Sequence, residues 1–323
     1  MLVPILLFLL GFVMLIKGGD WFVDGAVGIA HRFHLPELLI GATVISIGTT
    51  LPEVMVSAQA ALEGNAGISY GNAIGSVICN TSLIAALTVA IRPGAVSRKT
   101  LILPTASFFV AAVLYAGLAY TTGRFQRWNG ILFLALFVLY MAITVWQMKK
   151  HPESAADAEE EDAGKPMELW QEIGLLVLGA AVIAVGARLL VDNGTKIAQW
   201  LGVPDSVIGL TMVALGTSLP ELITAITSLI KGHSALSLGN VIGANLFNLV
   251  LVSGLSAALA PFPVPASKTI AGMNSSLVVD IPLMLIVMVL LTAPALVKKK
   301  LTRAQGITLL VIYAAFCVYQ FAV

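Results

Sequence analysis

The chain repeats itself at a constant offset of 168 residues, and this constrains the fold more than any other feature. GTTLPE (48–53) returns as GTSLPE (216–221), and GNAIGSVICN (71–80) returns as GNVIGANLFN (239–248). Asp24 and Asp192, Ile29-Ala30 and Ile197-Ala198, and Pro36 and Pro204 keep the same spacing. Between 36–53 and 204–221, nine of eighteen positions are identical without a gap. Such register marks an internal duplication. Each copy must therefore fold into a similar unit, and the two must bury their matching faces together.

The solvent follows from composition. Of 323 residues, 58% are hydrophobic and only 11% are charged, against roughly a quarter charged in soluble domains. Apolar runs long enough to cross a bilayer as helices recur near 2–30, 38–62, 71–91, 100–120, 130–147, 169–199, 207–231, 239–260, 276–296 and 303–322. Asp280 interrupts the ninth. The runs are too continuous for the alternation of a membrane barrel. The first run has no basic leading region, and Lys17 follows it, so it reads as a membrane helix and not a signal peptide. The expected fold is an all-α membrane protein of ten transmembrane helices, arranged as two inverted-topology five-helix repeats. Residues 1–147 form the first repeat, 148–168 an acidic cytoplasmic linker, and 169–323 the second repeat. Five spans per copy is an odd number, so the second copy enters the membrane upside down.

Orientation follows from the basic residues. With both termini outside, the inward loops hold Arg32, Arg92, Arg98, Lys99, Lys149, Lys150, Lys165, Lys231, Lys298, Lys299, Lys300 and Arg303. The outward loops hold only Arg124, Arg127 and Lys268. The positive-inside rule favours this arrangement. Cys79 and Cys317 lie within spans and suggest neither a disulfide framework nor a metal cluster. The net charge of +1 gives no sign of nucleic-acid binding. HExxH is absent and no nucleophile–base set is apparent, so no enzyme is expected.

Polar residues inside the apolar runs are the functional clue. Helical residues three and four apart share a face. Ser46, Thr49, Thr50 and Glu53 therefore form one stripe, matched by Ala214, Thr217, Ser218 and Glu221. The following span stacks Asn72, Ser76 and Asn80, matched by Asn240, Ala244 and Asn248. Pro52 and Pro220 cannot donate to the carbonyls of Gly48 and Gly216, which predicts loosened helices there. Irregular backbone at membrane depth must be buried or face a water-filled cavity. A carboxylate at the centre of a membrane helix costs roughly 3 kcal/mol or more. Two in matching positions call for a compensating cation or proton. Hard oxygen donors favour calcium, sodium or magnesium over zinc or copper, and flexible six- to eight-fold coordination favours calcium over magnesium. The ordinary alternatives are backbone bonding by Ser and Thr, and helix packing by small residues. Asn72 and Asn240 divide between packing and ion binding, while Asp24 and Asp192, near span ends, read as structural.

The paired motifs GTTLPE…GNAIGSVICN and GTSLPE…GNVIGANLFN resemble the two alpha-repeats of the cation/calcium antiporter superfamily. Within it the chain is most similar to bacterial sodium/calcium exchangers related to the potassium-dependent branch. The resemblance implies four cation sites at mid-membrane for which sodium and calcium compete. It implies Glu53 and Glu221 as acidic ligands, and Thr49, Thr50, Thr217, Ser218 and Ser76 as hydroxyl ligands. Ser46 and Ala214 would offer carbonyls, and Asn80 and Asn248 would complete the central layer. Ala244 stands opposite Ser76 without a hydroxyl, and Asn248 replaces an aspartate found in many relatives. Loss of that acid leaves fewer negative charges and puts potassium dependence in doubt, while paired carboxylates can also carry protons. The expectation is an antiporter in the bacterial inner membrane that exchanges sodium for calcium by alternating access, with proton/calcium exchange as the alternative. Its partners are the two transported ions and the bilayer, and no cofactor is expected.

Overall fold

The apolar runs form ten helical segments in the computed structural model, which describes residues 1–150, 167–201, 214–266, 269–270 and 272–322. The first repeat contributes α1 (Leu2–Arg32), α2 (Glu37–Leu62), α3 (Ala66–Ile91), α4 (Arg98–Thr122) and α5 (Arg127–Lys150). The second contributes α6 (Leu169–Trp200), α7 (Leu219–Ile230), α8 (Ser234–Leu259), α9 (Ser276–Lys298) and α10 (Arg303–Ala322). Eight of these are long and apolar enough to cross a membrane. A helical turn, Ala214–Thr217, precedes α7, and the start of the span expected at 207–231 lies outside the described residues. Most of the linker expected at 148–168 lies outside them too; its first residues complete α5. Helix α3 starts at Ala66, earlier than expected, because the Asn65 side chain caps it by accepting from Ile68 N at 3.2 Å. Asp280 does not disturb the ninth helix; it closes a wide π-type turn, Ser276–Asp280, that leads into the rest of α9.

Inversion can be read from two sets of contacts. Helices α1 and α6 cross at their glycines. A Cβ on Gly11 would lie 2.8 Å from the Gly186 carbonyl, and one on Gly179 would lie 2.8 Å from the Gly18 carbonyl. Partner numbers fall on one helix as they rise on the other, so the repeat-equivalent first helices run antiparallel. The loops agree. The α3–α4 loop pairs with the α9–α10 loop, through Val96 N to Lys299 O at 2.9 Å and Leu301 N to Gly94 O at 2.8 Å. At the opposite ends of α4 and α9, strand β1 (Arg124–Phe125) pairs antiparallel with β2 (Phe262–Pro263). Each repeat's third loop thus meets the other repeat's fourth loop. Since α4 and α9 separate those loops, equivalent loops lie on opposite faces of the molecule. A second hairpin, β3 (Thr269–Ile270) with β4 (Met273–Asn274), sits before α9.

Helices α2, α3 and α8 are the most buried, while α1, α5 and α6 keep broad apolar faces outward, including Val13, Val138 and Val177. Such a belt is what lipid tails would cover. The closest core approach is between α2 and α8. A Cβ on Gly239 would run into the Leu38 carbonyl, a backbone atom that cannot swing aside. Gly239→Ala is therefore expected to cost about 1–3 kcal/mol by overpacking, visible as a lower melting temperature of the detergent-solubilised protein. An unchanged melting temperature would show that the two helices separate freely.

The two prolines behave differently. Helix α2 runs on through Pro52, and its irregularity lies upstream, in a wide turn at Gly41–Ile45. The second copy does break, at Ser218 (φ −89°, ψ 6°), so that Pro220 falls in the first turn of α7, where its missing N–H costs nothing. A further pair of wide turns was not foreseen. They begin at Asn80 (Asn80–Ala85) and Asn248 (Asn248–Val252), again 168 residues apart. Wide turns of this kind recur at functional sites because they re-aim side chains and free carbonyls.

Candidate cation site

The four polar stripes meet where the repeats interlock. Glu53, on α2, and Glu221, in the first turn of α7, are both 0% exposed. They lie close enough for the Glu221 charge to act on Glu53, and Glu221 faces the hydroxyls of Thr49 and Thr50 across the repeat interface. The break at Ser218 aims the amide end of α7 at this centre, which favours negative charge there.

Around the acids, several buried polar atoms have no protein partner. They are both oxygens of Glu53 and of Glu221, Thr50 Oγ1, Ser218 Oγ, both amide atoms of Asn80, and Asn248 Oδ1. Buried polar groups are normally satisfied, and buried charges are paired or coordinate metals. The Asn80 wide turn packs on α7 and α8, and the Asn248 wide turn packs on α2 and α3, so each asparagine is delivered to the opposite repeat's acid-bearing region. Asn248 Nδ2 donates to the Ala244 carbonyl at 3.0 Å, which fixes the amide.

The remaining expected residues are placed as follows. Thr49 Oγ1 donates to Asn240 Oδ1 at 3.2 Å, and Thr217 Oγ1 donates to Asn72 Oδ1 at 3.2 Å. These bonds are repeat equivalents, so the duplication extends to individual hydrogen bonds. Asn72 Nδ2 donates onward to the Glu53 carbonyl at 3.1 Å and to Ser57 Oγ at 2.8 Å. The asparagines, divided between packing and ligation on sequence grounds, thus hold the threonines. With its proton committed, each threonine oxygen keeps lone pairs for another partner. Ser46 Oγ donates to the Gly41 carbonyl at 2.7 Å and to Asn240, so its hydroxyl serves α2–α8 packing. The Ala214 backbone opens the turn before Ser218, and its side chain lies outside the described residues. Ser76 lines a cavity.

That cavity, of about 340 Å3, is the part that sequence reasoning missed. It runs between α3, the turn before α7, α9 and α10, and it joins Ser76, Asn72 and Thr217 to Asp280, Tyr313 and Cys317. Asp280 carried a signal, an acid inside an apolar run. Tyr313 and Cys317 carried none, because only tertiary packing brings α10 alongside α3. The Tyr313 hydroxyl reaches Cys79 Sγ at 3.6 Å on the cavity wall.

The opposite end of the bundle is tied shut by charge. Lys231 binds Asp24 at 2.6 Å and Asp20 at 3.6 Å, linking the end of α7 to α1. Arg32 binds Glu172 through two nitrogens at 2.7 and 3.0 Å, linking the end of α1 to the start of α6. Glu37 meets His233 at 2.7 Å. Asp24 is therefore structural here. Its counterpart Asp192 makes an exposed pair with Arg188 at 3.6 Å.

The chain and its fold have known counterparts. The family model described as "Sodium/calcium exchanger protein" matches residues 3–146 and 172–322. The CaxA protein of Alkalimonas amylolytica is 36% identical over 99% of this chain and 98% of its own length. The sodium/calcium exchanger MaX1 of Methanosarcina acetivorans is 32% identical, with 99% of both chains covered. Among solved structures, the sodium-calcium exchanger NCX_Mj soaked with sodium and calcium superposes with a TM-score of 0.79 at 33% identity, covering 97% of each chain. A duplicated, inverted ten-helix bundle with paired buried acids, matched over nearly its whole length by these relatives, belongs to the sodium/calcium exchanger family of cation/calcium antiporters.

Proposed function

We propose that the protein exchanges sodium for calcium by alternating access, with Glu53 and Glu221 sharing one calcium ion or its sodium replacements. One observation carries this reading: two fully buried carboxylates, one on each repeat and close enough for the charge of Glu221 to act on Glu53, stand among buried oxygens that have no protein partner. Two carboxylates neutralise one divalent ion, and calcium accepts the irregular set of carboxylate, hydroxyl, amide and carbonyl oxygens offered here. Thr49, Thr50, Thr217, Ser218 and Ser76 would supply hydroxyls, Asn80 and Asn248 amide oxygens, and Ser46 and Ala214 backbone carbonyls.

Exchange instead of leak follows from charge. Loaded with calcium or sodium, the site is near neutral and can pass the low-dielectric barrier between the two access states. Empty, it carries two carboxylate charges, and their burial costs several kcal/mol each. Access in the present conformation would run through the cavity past Asp280, while the Lys231–Asp24 and Arg32–Glu172 pairs close the other end. The inward excess of basic residues orients this cavity outward, with both termini outside the plasma membrane and the central linker in the cytoplasm.

The test is calcium-45 uptake into vesicles holding the purified protein, with sodium, potassium and proton gradients imposed one at a time. An outward sodium gradient is expected to drive uptake without potassium. Uptake driven by a pH gradient alone, and not by sodium, would replace this reading with proton/calcium exchange on the same acids.

A further inference from the structure

At the charge-tied end of the bundle, away from the cation site, two basic loops are drawn together. Pairing of Val96 with Lys299, and of Ala95 with Lys300, places Arg92, Arg98 and Lys99 beside Lys298, Lys299 and Lys300. All six are exposed, and among the described residues none forms an ion pair. Topogenic charge alone accounts for basic loops on one face. It does not account for the pocket beneath them.

This pocket, of about 90 Å3, lies between the α3–α4 loop and the first turns of α4 and α8. Its polar lining is Thr88, Arg92, Ser97, Thr100, Ser234 and Ser237. A cavity holds one water in roughly 10–15 Å3, so there is room for a phosphate group. Two helices of 25 and 26 residues begin at it, and at neither does a side chain cap the exposed N–H groups. Helix starts carry unsatisfied donors and partial positive charge. The second, independent sign of a ligand is Ser237. It is 2% exposed, lines the pocket, and its Oγ has no partner. Arg92 spends one guanidinium nitrogen on the Leu229 carbonyl at 3.2 Å, holding its planar fork at the pocket wall.

We propose that this pocket is a binding site for a phosphate-class oxyanion, held by Arg92, the Ser237 hydroxyl and the amide ends of α4 and α8. The surrounding lysines would raise its local concentration. The chemistry is that of an anionic lipid headgroup or of free phosphate. A bound anion would pin α4, α8 and the α3–α4 loop to one another on the face opposite the cavity.

The test uses the full-length protein in non-ionic detergent at fixed ionic strength. Thermal unfolding is followed while inorganic phosphate replaces chloride, and in parallel with short-chain phosphatidylglycerol against phosphatidylcholine. A saturable rise in melting temperature is expected with an anionic ligand and not with phosphatidylcholine. A response to phosphatidylglycerol alone identifies a headgroup site, and a response to inorganic phosphate identifies a free-anion site. Ser237→Ala and Arg92→Gln should each weaken the response about tenfold. Lys300→Gln should weaken it less and in a salt-dependent way. Should Arg92→Gln fail to fold, Arg92→Lys and Ser237→Ala carry the same comparison. No saturable shift with either anion, or an undiminished shift in the Ser237→Ala protein, overturns the proposal.

Discussion

Glu53→Gln and Glu221→Gln are each expected to bring sodium-driven calcium-45 uptake down to that of protein-free vesicles while the protein still folds. Glutamine keeps the volume and one carbonyl oxygen and removes only the charge. At an effective dielectric constant of about 20, two unit charges 4 Å apart interact by about 4 kcal/mol, and a divalent ion doubles this. Even a fraction of that loss lowers affinity more than a hundredfold. Nothing nearby replaces it, since Thr49, Thr50, Ser218, Asn80 and Asn248 are all neutral. Stability supplies a second, opposite readout. Without added cations each variant should unfold at or above the wild-type temperature, because a buried, unpaired carboxylate has been removed. With calcium at a hundred times its dissociation constant, the wild type should gain about 2.7 kcal/mol and the variants almost nothing. Sodium-driven uptake retained in both variants would remove these acids from the mechanism.

Much of this architecture was legible because duplication converts sequence register into symmetry. The constant offset required two similar units, and an odd number of spans required that one be inverted. The antiparallel crossing at Gly11 and Gly186 and the exchanged loop pairings are the physical form of that inference. Local chemistry was read less completely. Pro52 and Pro220 look alike in sequence, yet α2 absorbs its proline, while the second copy breaks one residue before α7. One tertiary difference is visible: α2 is pressed along its length against α8. Asn72 and Asn240 divided between two readings because a helical stripe gives direction but not partner. Only the fold shows that each reaches a threonine of the other repeat. The cavity was invisible for a related reason, since its far wall comes from α9 and α10, which lie outside the repeated motifs.

Asn248→Asp is expected to tighten calcium binding by about tenfold or more and to make exchange depend on an additional monovalent cation. Asn248 is fully buried, starts its wide turn on the acid-bearing face, and has an Oδ1 without a protein partner, so an aspartate there would add a third charge to the same centre. That charge strengthens attraction for a divalent ion by an amount worth at least a factor of ten even when well screened. It also changes the balance that permits crossing. Two carboxylates with one calcium are neutral, whereas three leave one negative charge, and a buried net charge costs several kcal/mol. The occupied site then crosses only with a further potassium ion or proton aboard. The same calcium-45 assay separates the consequences: equilibrium binding should tighten, while exchange at fixed sodium should slow without potassium and recover when potassium or lower pH is supplied. Ala244→Ser is the neutral control, since it adds a hydroxyl opposite Ser76 without adding charge, and it should strengthen binding without creating a requirement for potassium. Faster, potassium-independent exchange by the Asn248→Asp protein would mean that net charge at the centre does not govern crossing, and the charge-based account of obligatory exchange would fall with it.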